Sequence, residues 1–428
     1  MEIPERRLMK LALWLRILAL PALLLVVVAA LVIGQRRHVR AQNSFKSEGL
    51  RHYEILPSQL PPPDATRSAS NPPRVVSQPP GAKLTLPPGF QIGTWAEGEF
   101  EQPRWLALAP NGDVFLVDSR AGRILVLRDS KNSGKADERF VFAEHLNLPF
   151  GMAFWKDYLY VGDTDAVLRF HYHAGQTKAD GPPEKIADLP GRGYNQHWTR
   201  NLVFSPDGSR MYVTVGSASN DSPEPPPRAA ISQYNPDGSG QRLVASGTRN
   251  PIGMAFYPGT SQLWAVVQER DGLGDNLPPD YLTHIQDGGF YGWPYAYLGP
   301  HPDPKNKERP DLVKKTITPD LLFQAHSAPM DLVFYEGSMF PREYRGDALV
   351  SFHGSWNRSQ RTGYKIVRVH FAGGKPAGGY DDFVTGWMLS PDRREVWGRP
   401  VGLLVLKDGS LLIADDGANK IWRVSYRK

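Results

Sequence analysis

The chain has no cysteine among its 428 residues, which excludes disulfides, thiol nucleophiles and thiolate metal ligands. It also lacks a basic body. The formal charge is +6, but residues 1–40 carry seven basic and two acidic side chains. The remainder holds 43 and 42 and is close to neutral. No basic stripe is left to follow a phosphate backbone, so nucleic acid is not an expected partner. A GxSxG elbow, a P-loop, an HExxH pair and a dinucleotide fingerprint in a βαβ setting are all missing, so those hydrolase and nicotinamide chemistries lack their marks. Beyond the first forty residues no extended helical periodicity is present.

What is abundant is glycine (41) and proline (39), together with 41% hydrophobic residues. Tight turns need permissive or preset φ, so this composition suits a turn-rich β protein with a sizeable core. At the N-terminus, Ile17 to Ile33 is an unbroken apolar run of 17 residues, preceded by Leu11–Leu15 and a single Arg16. As a helix it reaches about 25 Å, close to bilayer hydrocarbon thickness. Residues 1–40 are therefore expected to be one transmembrane anchor, or a signal segment. Val39-Arg40-Ala41 makes a poor cleavage site, which favours an uncleaved anchor. The expected placement is the inner membrane, single-pass, with the body on the periplasmic side. Residues 41–88 are rich in Pro and Ser and are expected to be an extended, semi-stiff linker.

From residue 89 to 428 one theme recurs six times, at 106–119, 151–164, 202–217, 253–269, 330–355 and 402–417. Each copy is two alternating apolar runs around a turn, with pairs such as Asn111-Gly112, Asp207-Gly208 and Asp408-Gly409. Starts lie roughly 45–80 residues apart, the scale of a four-stranded blade with insertions. The expected fold is all-β, a six-bladed propeller preceded by one transmembrane helix. A sandwich or solenoid is the alternative.

Polar clusters sit beside the runs that open or close these repeats. GRGYNQHWTRN (191–201) precedes the third and offers His197 as a general base or as a turn cap. GTRNP (247–251) precedes the fourth; Arg249 could grip a carboxylate or brace a neighbouring blade. ERDGLGDN (269–276), followed by YGWP (291–294), could supply calcium oxygens or only turns. HSAP (326–329), HGSWNR (353–358) and GRP (398–400) complete the set. Recurrence at equivalent places would gather them at one mouth of the channel.

In order and content this set resembles the glucose/sorbosone dehydrogenase family, in its sorbosone and pyranose dehydrogenase branch, over roughly residues 85–427. The resemblance implies a six-bladed propeller using pyrroloquinoline quinone (PQQ) and Ca²⁺ to oxidise a sugar or sugar aldehyde, with electrons passing to a respiratory quinone or cytochrome. It implies His197 as the base for the sugar hydroxyl and Arg249 and Asn250 at the quinone's reactive carbonyl. Arg399 would lie on the cofactor's carboxylates, with Arg200, Asn357 and Arg358 as further cofactor-facing candidates. Arg270, Asp271 and Asp275 would mark the calcium loop. Two departures stand out. Ser217 occupies the place of the Asp that orients the base in glucose-oxidising members, with Asp221 a candidate substitute. The second arginine of the carboxylate grip is missing near Val401, and Asn357 and Arg358 stand where that branch has a Lys. Two other classes remain open: a calcium-dependent sugar-lactone hydrolase, and a non-enzymatic propeller that binds a partner or polysaccharide.

Overall fold

The computed structural model describes residues 49–191 and 197–427. The expected anchor at 1–40 lies outside the described residues, and no helix among those described is long and apolar enough to cross a membrane.

Among the described residues, six four-stranded antiparallel blades follow one another along the chain. From inner to outer strand, blade 1 is Pro103–Leu108, Val114–Asp118, Arg123–Arg128 and Glu138–Ala143. Blade 2 is Met152–Trp155, Tyr158–Asp163, Ala166–His171 and Glu184–Asp188. Blade 3 is Leu202–Phe204, Met211–Val215, Ala230–Tyr234 and Arg242–Ser246. Blade 4 is Asn250–Phe256, Leu263–Gln268, Tyr281–His284 and Leu321–Leu322. Blade 5 is Pro329–Phe334, Ala348–Phe352, Lys365–Ala372 and Lys375–Val384. Blade 6 is Pro400–Val405, Leu411–Asp415 and Lys420–Tyr426, closed by Phe90–Glu97 from the start of the body.

Each of the six sequence repeats falls on the inner hairpin of a blade. The turns behave as their residues require. At 408–410, Asp408 Oδ1 accepts the Ser410 N–H at 2.9 Å, and Gly409 takes φ +86°, a region closed to most side chains.

Neighbouring inner strands touch around the ring, so the sheet faces pack on each other and no blade is left unpaired. Between blades 1 and 2, Phe115 meets Phe142, Phe154 and Tyr172 edge-on at centroid distances of 5.0–5.5 Å. Truncating such a ring to Ala costs about 3–5 kcal/mol. Polar struts cross the seams too. Asn201 donates to the Ile252 carbonyl at 2.9 Å, and Leu403 N–H donates to Asp331 Oδ2 at 2.7 Å. Burial pushes the Asp331 carboxyl well above its usual range.

The Pro-rich segment differs from expectation. Over residues 49–88 it is a strap laid on the propeller rather than a free linker. His52–Tyr53 adds a fifth strand to blade 5, and Arg74–Val75 pairs in parallel with Glu395–Val396. Between them Asp64 N–H donates to Leu273 O at 3.0 Å and Asn71 N–H to Trp356 O at 2.7 Å. Prolines remove donors but leave carbonyls and isolated N–H groups, enough to dock an extended chain.

Blade 4 carries the largest insertion, 285–320. Its Gly289–Phe290 pairs in parallel with the outer strand of blade 3, and a short helix spans Pro310–Lys315.

Candidate functional site

In an antiparallel blade the start of the first strand and the end of the second lie at the same end. His197, Arg249, His326 and Arg399 each precede a first strand, whereas Glu269, Asp271, His353 and Asp416 each follow a second strand. The topology therefore gathers them at one mouth, as expected from the repeats.

On the side of blades 3 and 4, His197 sits at φ +48° with Nδ1 2.9 Å from Ser217 O and 3.1 Å from Ser217 Oγ. A carbonyl only accepts, so Nδ1 carries the proton and Nε2 is the bare nitrogen. Nε2 has no hydrogen-bond partner among the described residues. Burial first, then the neighbouring Arg249 cation, push the His197 pKa down to about 3. Ser217 thus orients the His197 imidazole. Asp221 does not substitute, because its carboxylate receives Arg270 at 3.0 Å and Lys305 at 2.7 Å. Gly216 lets the wall close: a Cβ there would lie 2.3 Å from Asn250 Oδ1 and 2.8 Å from His197 Cβ.

Arg249 is buried and fixed by Asn220 O (3.1 Å), Glu269 O (2.7 Å) and Asn220 Oδ1 (3.0 Å), with Asp271 Oδ2 at 3.5 Å. Asn250 donates to Gln268 Oε1 at 3.0 Å, and its own Oδ1 is buried without a partner. Asp271 also faces His326, whose Nδ1 is 3.3 Å from Asp271 Oδ1 while its Nε2 is 2.9 Å from Gly274 O. With acceptors at both nitrogens, His326 favours the imidazolium. Burial opposes that charge, yet Asp271 and the Gly274 carbonyl raise its pKa overall. Burial would raise Asp271, but His326 and Arg249 outweigh it and the carboxylate is held below its usual range. Behind this group Glu269 and Asp280 are raised by burial to about 7 and about 6, and Glu269 Oε1 has no partner.

On the side of blades 6 and 1 a second group forms. Arg399 Nη2 lies 2.9 Å from His353 Nδ1, and His353 Nε2 lies 2.8 Å from Asp416 Oδ1. Arginine only donates, so Nδ1 accepts, Nε2 carries the proton to Asp416, and His353 is neutral. Burial, then Arg399, push its pKa down to about 4. Arg104 approaches Asp416 Oδ2 at 3.0 Å and lies over the Trp198 ring at 5.3 Å. Arg104 thus pairs directly with the carboxylate, whereas the Arg399 guanidinium reaches it only through His353 and has no carboxylate partner of its own among the described residues. Burial would raise Asp416, but Arg104 and His353 overcome it and hold the group far below the usual range.

His197, Arg249, Asn250 and Asp271 come together at the mouth, and Arg399 stands in the second group. The other sequence candidates have different work. Arg200 is buried and donates to the carbonyls of His197 (2.7 Å), Thr199 (2.9 Å) and Pro190 (2.8 Å), so it braces the loop. Asn357 takes the Gly272 N–H at 3.3 Å and donates to Ala69 O at 2.6 Å. Arg358 donates to Asp275 O, and the Asp275 carboxylate takes the Ser359 N–H at 2.9 Å. Those three build the rim that holds the strap. The expected calcium loop does not converge as a donor set. Arg270 is turned to Asp221 and Asp303. The Asp271 carbonyl already accepts Arg270 Nε (3.2 Å) and Asn220 Nδ2 (3.0 Å), and Asp275 points at blade 5. Among the described residues no group of three or more His, Asp or Glu is placed to hold a metal ion.

Sequence reasoning gave no role to His326 or Asp416 and did not single out Arg104. His326 stood in a noted motif, but its charge depends on two acceptors brought from blade 4. Arg104 opens blade 1, far along the chain from Arg399, and no spacing rule links them.

Comparisons with known proteins come down on the same side. Residues 156–355 match the Glucose / Sorbosone dehydrogenase family model, and residues 303–427 match a TrAA12-like model. An uncharacterised protein of Borreliella burgdorferi is 28% identical over 361 residues, covering 81% of this chain and 91% of that one. A pyrroloquinoline quinone-dependent sugar dehydrogenase of Hypocrea jecorina is 23% identical, covering 75% of this chain and 84% of that one. The fold is similar to a Trichoderma reesei carbohydrate-active enzyme of family AA12, at TM-score 0.71 and 21% identity over 83% of this chain and 99% of that one.

Proposed function

From a six-bladed propeller that resembles the glucose/sorbosone dehydrogenase family, we propose that this chain is a PQQ-dependent oxidoreductase that oxidises a sugar or sugar aldehyde at the mouth built by blades 3, 4, 6 and 1. The observation that carries the reading is His197: its Nδ1 is locked on Ser217, so Nε2 is a bare acceptor beside the buried Arg249 cation.

PQQ, when bound, would supply the hydride acceptor. The residues fit such a group in two respects. Arg104 is paired with Asp416, but the Arg399 guanidinium contacts only His353 among the described residues, which leaves its positive charge for an acidic ligand. Arg249, pinned before any ligand arrives, stabilises negative charge arising next to it without reorganisation. His197 Nε2 takes the proton of the sugar hydroxyl. Its low pKa keeps it unprotonated at neutral pH, and Asp271 favours the imidazolium as the proton arrives. The Asp271 carbonyl, one of the oxygens expected for calcium, already accepts from Arg270 and Asn220, so no step is assigned to that ion. The lack of converging carboxylates among the described residues removes support for a metal-dependent lactonase.

Residues 17–33 would anchor the chain in the inner membrane with the propeller outside the cytoplasm, close to a respiratory acceptor. The test uses full-length protein in detergent. Titration with PQQ is followed by its absorbance, then dye reduction is measured with a panel of aldoses and sorbosone. Saturable quinone binding with sugar-dependent reduction is expected. Absence of quinone binding at micromolar concentration overturns the assignment.

A further inference from the structure

Among the described residues Trp356 is the one exposed tryptophan, with 45% of its surface open. An isolated apolar side chain on a surface needs no explanation by itself. What distinguishes Trp356 is where it stands and how it is held. Its loop, 353–358, joins the two halves of the mouth. His353 at one end contacts Arg399, and Asn357 at the other takes the Gly272 N–H beside Asp271.

The backbone around the indole is fixed from two sides. From below, Ser355 N–H donates to Thr362 O at 3.0 Å and Tyr364 Oη donates to Ser355 O at 2.6 Å. From above comes the strap. Asn71 N–H donates to Trp356 O at 2.7 Å, and Asn71 Nδ2 donates to Arg358 O (3.1 Å) and Ser359 O (3.0 Å). Arg361 in turn donates to Asn71 O (2.8 Å) and Oδ1 (2.6 Å). One asparagine therefore links three carbonyls of the loop, those of Trp356, Arg358 and Ser359. A mobile loop would fold its indole inward to gain the hydrophobic term. Here the main chain is held from both sides and the indole stays 45% open, so less backbone ordering remains to be lost when a ligand meets it.

We propose that Trp356 is the platform on which a pyranose ring stacks at the mouth, and that Asn71 is the positioning residue that sets the platform. A pyranose offers a face of C–H bonds, and the electron-rich face of an indole attracts such hydrogens while excluding water from them. The inference rests on the sugar-oxidising reading and adds to it the substrate shape: a ring form, bound by one face, with its hydroxyls free to reach His197.

The test compares the full-length parent with Trp356→Ala, Trp356→Phe and Asn71→Ala. Binding of D-glucose and methyl β-D-glucopyranoside is followed by saturation-transfer NMR without added quinone. Turnover is then followed with PQQ and dye, and thermal midpoints check folding. The expected result for Trp356→Ala is a KM raised about two- to tenfold, with kcat and PQQ absorbance little changed and the saturation transfer weakened. Trp356→Phe recovers part of the loss, and Asn71→Ala raises KM less than removal of the indole. An unchanged KM and saturation transfer in a folded Trp356→Ala overturns the platform. A loss confined to PQQ binding, or to the rate at limiting electron acceptor, also overturns it, and would give the indole to the cofactor or to a redox partner. If the parent binds sugar through Trp356 but binds no PQQ, the platform stands and the dehydrogenase reading fails.

Discussion

The two halves of the mouth are built from the same parts and push the pKa of their histidines in opposite directions. Each places a histidine and an arginine against a shared aspartate. In the half around Arg249, both nitrogens of His326, from the start of blade 5, face acceptors, and Asp271 raises its pKa. In the half made by blades 6 and 1, His353 lies between a donor, Arg399, and an acceptor, Asp416, so it stays neutral and merely relays orientation. Residue type does not decide the charge of a buried imidazole; the partners at its two nitrogens do. His197 is a third case, locked at one nitrogen and bare at the other, and that is the arrangement a base requires.

The largest effect should come from removing the bare nitrogen. His197→Ala is expected to lower turnover by about 10²–10⁴-fold while PQQ absorbance is retained; loss of binding instead would move His197 to the cofactor grip. Next is the cationic half. Arg399→Ala is expected to weaken PQQ binding by about ten- to hundredfold, with Arg104→Ala close behind, as read by titration. If neither changes affinity, the surplus charge serves the fold alone.

The third test converts one half toward the other. Ser217→Asp places a carboxylate on the proton-bearing nitrogen of His197. The imidazolium is then favoured, so the acid limb of kcat/KM moves from below the neutral range toward it. A pH profile that does not shift removes His197 from the proton step.

The smallest effects are on stability. The folded pKa of His326 is raised above its unfolded value, so its stabilisation is complete below about pH 6.5 and is lost as pH rises through the folded pKa. That of His353 is lowered to about 4, so stability falls as pH drops from about 6.5 toward 4. Thermal midpoints of His326→Gln should flatten the alkaline side of the stability curve, and those of His353→Gln the acid side. The same change in both would show that the two halves are not electrostatically independent.

Much of the fold was legible because the inner hairpins, largely buried on both faces, read as apolar runs separated by turn pairs. Outer strands such as Glu184–Asp188, half open to water, gave little signal. The strap was read as a linker because it docks through backbone atoms and scattered side chains such as Tyr53, Thr66 and Asn71, which follow no period and which composition does not reveal. At the site, the order of the motifs pointed to His197, Arg249 and Arg399, which the fold brings to one mouth. Arg200 and Arg358 were indistinguishable from them by type, since an arginine bracing a loop and one at the mouth read alike in a sequence. The calcium loop was read from clustered Asp and Gly and from the resemblance; its Asp275 side chain makes a rim joint with Ser359, which the sequence does not reveal.

The sixth blade takes its outer strand, Phe90–Glu97, from the beginning of the body and its other three from the end. A ribosome therefore releases the first strand long before the strand it must pair with exists. Until the last residues emerge, that early segment is an unmatched sheet edge, and the ring can shut only as a final event. Losing a few residues at the C-terminus should thus undo the whole ring, where the same loss from a linear array would shorten it by one unit.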